Sequence, residues 1–122
     1  MSTLRNLIVE MVEVHRVLGA MALEARTNAA LRPDVLRLRK RSARGGQLIL
    51  PAINEDSQLS ADPELAAEFR RKFSGMGARI ALFQAKWPAA LPSDDDDQFI
   101  ADRKRLREED APVTEWALRM LK

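Results

Sequence analysis

The chain has no cysteine and a single histidine, His15, in 122 residues. The first absence excludes disulfides, thiolate metal ligands and cysteine nucleophiles. Long apolar runs are also missing. None approaches the roughly 18 residues of a membrane span, and no basic segment followed by a continuous apolar stretch opens the chain, so neither a membrane helix nor a secretion signal is expected. The cytoplasm is the expected location. Aromatic residues make up 5% of the chain, and none is interleaved to stack bases in its two basic runs, Arg37, Arg39, Lys40, Arg41 and Arg44, and Arg70, Arg71 and Lys72. The formal net charge of +2 is too small to argue for nucleic acid from bulk charge. No Gly-rich phosphate loop is present. The acidic run Asp94–Asp97 lacks the alternating ligands, central Gly and terminal Glu of an EF-hand.

What is present is a soluble, helix-patterned chain. Hydrophobic residues are 46% and charged residues 31%, a globular rather than disordered mixture. The length suits one domain, residues 1–122, able to bury a core without staples. The organising stretch is Leu4–Ala25, LRNLIVEMVEVHRVLGAMALEA. Leu4, Ile8, Met11, His15, Leu18, Ala22 and Ala25 follow the spacing of one helical face. His15 therefore points to the interior or its edge, as a neutral imidazole bonded to a polar neighbour. Gly19 costs roughly 1 kcal/mol against Ala in mid-helix, which implies close approach of a neighbouring helix or side chain.

Thr27–Arg32 reads as a connection, and Pro33 with Asp34 as the start of a second helix. That helix is expected to stop at Pro51, with Leu36, Ala43, Gln47 and Leu50 on one face and a costly Gly45-Gly46 pair in the middle. Pro51–Ala61 is expected to be a loop. Asp62-Pro63-Glu64 is a helix start with Asp as N-cap. The third helix has the most regular stripe: Leu65, Phe69, Phe73, Met76, Ile80, Phe83 and Trp87, with Pro88 ending it. Ala89–Pro92 links to a fourth helix capped by Ser93, with Asp94–Asp97 in its first turn, where the helix dipole favours anions. Phe99, Leu106, Val113, Ala117 and Met120 form its apolar face, and Arg103 and Asp110 share the seam. Pro112 is expected to kink or split it, and Trp116 and Leu118 to anchor its end. With no strand signal, the expected fold is all-α, an up-down-up-down antiparallel four-helix bundle.

Two stretches resemble the hemerythrin-like family. VEVHRVLGAMALEA is similar to its opening helix, where an acidic residue and then His-Arg precede an apolar stripe. GGQLILPAI is similar to the close of its second helix, where a Glu-Glu pair precedes an apolar segment and Pro. The spacing of Phe69 and Met76, the closing Trp87 and the acid-rich start before Phe99 fit the later order, so the resemblance spans nearly the whole chain. It implies a di-iron bundle, with His15 as the first-helix ligand. The second-helix carboxylate and histidine would fall near Gly45 or Gly46 and near Arg41 or Ser42. The third-helix histidines would fall between Phe69 and Phe83, where Lys72, Ser74, Gly75, Gly77 and Arg79 stand instead. Asp110 or Glu109 could supply the fourth-helix carboxylate. A di-iron centre needs about five or six N/O ligands, so neither metal nor other cofactor is expected, and the glycine pair would line or fill a vacated cavity.

The resulting expectation is a non-catalytic, hemerythrin-like binding or regulatory module without metal. Its candidate buried polar or vestigial site is His15, Arg103 and Asp110, with His15 bonded to Asp110. A protein partner is expected, reached through the basic second helix or an exposed Trp, and so is a homodimer through an apolar patch on the third or fourth helix; neither nucleic acid nor a membrane is. The alternative is histidine phosphotransfer. His15–Ala20, HRVLGA, is similar to the H-x-x-K-G-[SA] motif, with Leu18 in place of the lysine. Two further readings are a pocket enzyme with His15 as base and Asp110 as orienter, and a helical chaperone or adaptor.

Overall fold

A computed structural model describes residues 3–88 and 96–122. The described residues are all-helical and contain no strand. Helix α1 spans Thr3–Ala25, a 3-10 turn Ala29–Leu31, α2 Arg32–Glu55, α3 Ser57–Ser60, α4 Pro63–Lys86 and α5 Asp96–Met120. The Ala89–Pro92 link, the Ser93 cap and Asp94–Asp95 lie outside the described residues. The long helices pack as a bundle in which α1 lies against α2 and α5, and α4 against the same two.

Local chemistry explains the helix starts. The Asn28 side chain accepts from Ala30 N at 3.1 Å to open the 3-10 turn, and Asp62 accepts from Leu65 N at 3.1 Å to open α4. These side chains satisfy donors that the first helical turn leaves without partners. Pro33 and Pro63 each sit in a first turn, where a missing N–H costs nothing.

Several expectations about helix ends and faces are corrected. Helix α2 does not stop at Pro51 but runs on to Glu55. Pro51 and Gln47, whose carbonyl loses its donor, are both exposed, so that carbonyl opens toward solvent. In return the extra turn buries Ala52 and Ile53. The expected loop Pro51–Ala61 thus keeps little loop character: it contains the end of α2 and then α3, capped by Asp56, whose side chain accepts from Leu59 N at 3.0 Å. The buried face of α2 is Val35, Ser42, Ile49 and Ile53, while Leu36, Ala43, Gln47 and Leu50 are exposed. Nor does Pro112 split α5, which is continuous. Pro112 and Glu108, the residue four positions earlier, are again both exposed.

The core divides into two clusters. The larger joins Leu4, Ile8 and Met11 of α1, Ile49 and Ile53 of α2, Leu59 of α3, Phe69, Phe73 and Met76 of α4, and Ala117 with Leu121 at the end of α5. Helix α3 seals this end: Gln58 donates to the Met120 carbonyl at 2.6 Å and accepts from Lys122 N at 2.9 Å. Met120, expected on the apolar face, is exposed, and Leu121 is buried in its stead. The smaller cluster joins Ala22, Ala25, Val35, Trp87 and Phe99 at the other end. Between the two lies a layer in which polar side chains take over.

Candidate functional site

That middle layer contains all three residues singled out from the sequence, but it does not bring them together as expected. His15 is half-buried, and its Nε2 shares a hydrogen bond of 2.8 Å with Ser42 Oγ across the α1–α2 contact. Burial pushes the imidazole below its ordinary pKa, because the charged form is the one that loses hydration. His15 is therefore neutral near pH 7. Asp110, buried on α5, is not its partner. Its Oδ1 accepts from Arg79 Nε at 2.8 Å, with Glu109 3.6 Å from the same nitrogen. Burial raises the Asp110 carboxyl above the usual range, and the Arg79 guanidinium opposes that rise. The pairing His15–Asp110 is thus replaced by two separate pairs, each joining neighbouring helices.

Arg103 explains Gly19. A Cβ built on Gly19 would stand 2.0 Å from an Arg103 guanidinium nitrogen, so the guanidinium lies directly over the glycine backbone. The close approach inferred from Gly19 is a side chain of α5 laid across α1. Burial, and then the charge of Arg107, lower the Arg103 pKa from its ordinary value. The Gly45-Gly46 pair behaves otherwise: a Cβ at either would meet nothing within 4 Å, and Gly46 is exposed. Gly45 borders an open groove of about 200 Å³ between α1 and α2. The pair does not line a cavity inside the bundle.

A second polar constellation, unforeseen in the sequence, surrounds Trp87. Its indole N–H donates to Asp102 Oδ2 at 2.9 Å, and its carbonyl accepts from Arg39. Its ring meets Phe99 edge-on at 5.4 Å, and the Arg26 guanidinium lies 4.8 Å from the Phe99 centroid. Asp102 also takes Lys86 Nζ at 2.7 Å and Gln98 Nε2 at 2.7 Å. The Lys86 bond first, with the Trp87 and Gln98 bonds, holds its carboxyl down at about 2. This cluster ties the end of α4 to α2 and α5. It is a structural clasp.

The basic runs are largely engaged within the chain. Arg70 reaches Asn54 at 3.1 Å, Arg71 stands 3.7 Å from Glu68, and Lys72 Nζ lies 4.7 Å from the Trp116 ring centroid. In the other run, Arg39 is bound to Trp87, Arg41 to Glu10 at 2.7 Å and Arg37 to Asp34 at 3.0 Å. Lys40 and Arg44 point outward and make no ion pair among the described residues.

Chemically, the middle layer offers one neutral imidazole hydrogen-bonded to one hydroxyl. The carboxylate that would orient His15 as a base is held by Arg79. A phosphoryl group arriving at Nε2 would have to displace Ser42. Among the described residues, no three His, Cys, Asp or Glu side chains converge as a metal-binding set, and no helix is long and apolar enough to cross a membrane. Two of the residues that build the layer, Ser42 and Arg79, enter the sequence analysis only as positions where the resemblance would place metal ligands, not as the partners of His15 and Asp110. Val35, Ser42 and Ile49 at seven-residue spacing carry the signal for the first. Arg79, three residues from Met76 and next to Ile80, could have been seen at the rim of the α4 stripe. Comparison of the chain with protein-family models, curated proteins and solved structures finds no match.

Proposed function

We propose that the chain is an up-down-up-down antiparallel four-helix bundle of hemerythrin-like pattern that has lost its di-iron site and acts as a non-catalytic binding or regulatory module for a protein partner. The observation that carries this reading is how the middle layer is filled. His15 is engaged with Ser42, and Asp110 with Arg79. Where a metal centre would need several free N and O donors, the layer has two guanidinium groups, Arg79 and Arg103. Their charge opposes a metal cation at short range. The helix ends gathered in the two core clusters support the antiparallel arrangement, since the start of each long helix shares a cluster with the end of the next.

The test is the metal content of the full chain purified after expression in iron-supplemented medium. Iron far below one atom per chain, unchanged in His15→Ala, is the expected result. Iron near one or two atoms per chain, lost in His15→Ala, would overturn the reading.

A further inference from the structure

Two features of α2 have no role inside the bundle: the stripe of Leu36, Ala43 and Leu50, and Gly46. Leu36 is 49% exposed and Leu50 38%, with Ala43 exposed between them. At seven-residue spacing they form one line along the helix, about 21 Å long. That line runs beside α4. Two contacts fix the antiparallel register of the pair: Arg70 donates to Asn54 Oδ1 at 3.1 Å, and Arg39 to the Trp87 carbonyl. Between those contacts Gly77 comes level with Gly46 and Gln47, and Ala81 with Ala43, all of them exposed. Elsewhere, Leu82 on α4 and Ile100 on α5 are exposed singly, as is ordinary for a soluble surface.

The glycines are not there to let α2 and α4 approach each other. A Cβ built on Gly46 or Gly77 would meet nothing within 4 Å. The loss of helix stability that an interior glycine brings is therefore not offset within the chain. What a glycine also allows is close approach of a ligand to the backbone. With Ala43 and Ala81 beside them, the two glycines keep the α2–α4 seam low between Leu36 and Leu50.

Charge identifies what fits this seam. Lys40 and Arg44 on its α2 border make no ion pair among the described residues, and Arg70 on its α4 border donates to the neutral Asn54 and to no carboxylate there. The acidic residues of the two helices are engaged or placed elsewhere. Asp34 holds Arg37, Glu68 stands 3.7 Å from both Arg71 and Lys72, and Glu55 and Glu64 lie at the α3 end. The middle of the seam is thus apolar and small, with positive borders. A second copy would set like charges against each other. Nucleic acid would find no aromatic residue on which to stack a base, and a membrane would find two separated leucines in place of a continuous apolar face. A helix with an apolar stripe and acidic flanks matches both the seam and its borders.

We propose that the α2–α4 seam is a docking surface for an acidic amphipathic helix of a partner protein. The proposal rests on the binding-module reading and gives its partner a chemistry. It fails separately from that reading, because a seam that binds no such helix would leave the iron result untouched.

The test is fluorescence anisotropy of the full chain with a labelled helical peptide of about 18 residues, long enough to span the line, with leucine at helical spacing and glutamate on its flanks. Saturable micromolar binding is expected, and binding at least about tenfold weaker when lysine replaces glutamate in the peptide. Lys40→Glu with Arg70→Glu is expected to lose at least about tenfold, whereas Lys104→Glu with Arg105→Glu, the same charge change at exposed sites on α5, leaves binding unchanged. Gly46→Gln with Gly77→Gln is expected to abolish binding with a thermal midpoint no lower than wild type, since the added side chains meet open space. Absence of saturable binding would overturn the proposal, as would equal binding of the lysine peptide, equal losses in the two charge-swapped forms, or a glycine variant that binds like wild type or melts earlier. Displacement of the peptide by phosphatidylglycerol vesicles or by a DNA duplex would also overturn it, assigning the seam to a membrane or to nucleic acid.

Discussion

Replacing Phe69 by alanine is expected to lower the free energy of unfolding by about 4 kcal/mol, the cost of removing a large aromatic side chain from a packed interior. Phe69 is 0% exposed and sits where α4, α1, α2 and α5 converge. Its ring stacks near Phe73 at 6.0 Å and meets Trp116 at 4.6 Å. Two aromatic contacts add to the apolar area that the substitution returns to water. The helices around the vacated space are held by other contacts, the α3 seal among them, so collapse into the cavity is limited and the cost stays high. Urea denaturation followed by circular dichroism measures it. A loss under about 1 kcal/mol would mean that Phe69 is not part of a packed core. The same substitution at Leu82, an exposed apolar residue on the same helix, is expected to fall within about 0.5 kcal/mol of wild type.

Arg79→Met is expected to cost about 2 kcal/mol near neutral pH, and its pH dependence is diagnostic. The variant keeps the apolar stem and removes the charged donor of the 2.8 Å bond to Asp110, an interaction of a class worth about 1.5–3 kcal/mol. The carboxylate is left buried without its cation. Burial already raises the Asp110 pKa and Arg79 opposes that rise, so removing Arg79 raises it further. A group whose pKa is higher in the folded state binds its proton there first; its ionisation therefore weakens the fold as pH rises through that value. The deficit of the variant relative to wild type should accordingly shrink as the pH falls toward the ordinary carboxylate pKa of about 4. Asp110→Asn in the same background should remove much of this pH dependence. A deficit that is constant with pH would show that Arg79 acts through packing alone.

The parts of the structure legible in the sequence are those set within one helix. The α1 stripe, the Asp62 cap and the α4 stripe each depend on the 3.6-residue period and on local hydrogen bonds, and each is found where those rules put it. In helix α2 packing outweighs two local rules. Pro51 is tolerated where the freed Gln47 carbonyl faces solvent, and the face containing Val35, Ile49 and Ile53 buries better than the one containing Leu36 and Leu50. The middle layer failed for a different reason. Periodicity says that His15 and Asp110 lean inward, but the height at which neighbouring helices present Ser42 and Arg79 is set by inter-helix register. No single helix encodes that register. The Trp87 clasp depends on the same register, since Arg39, Asp102 and Lys86 come from three helices.

The chain's single histidine allows its ring to be followed by NMR without ambiguity, with and without added ferrous iron. If His15 is a neutral, half-buried imidazole held by Ser42, it should titrate below the ordinary value of about 6.5, and iron should leave its signals in place. The fold should also weaken as pH drops through that range, because the unfolded chain takes up a proton that the folded one resists. A midpoint at or above 6.5, or a stoichiometric displacement or broadening of the ring signals by iron, would contradict the assignment of His15 to a structural polar layer.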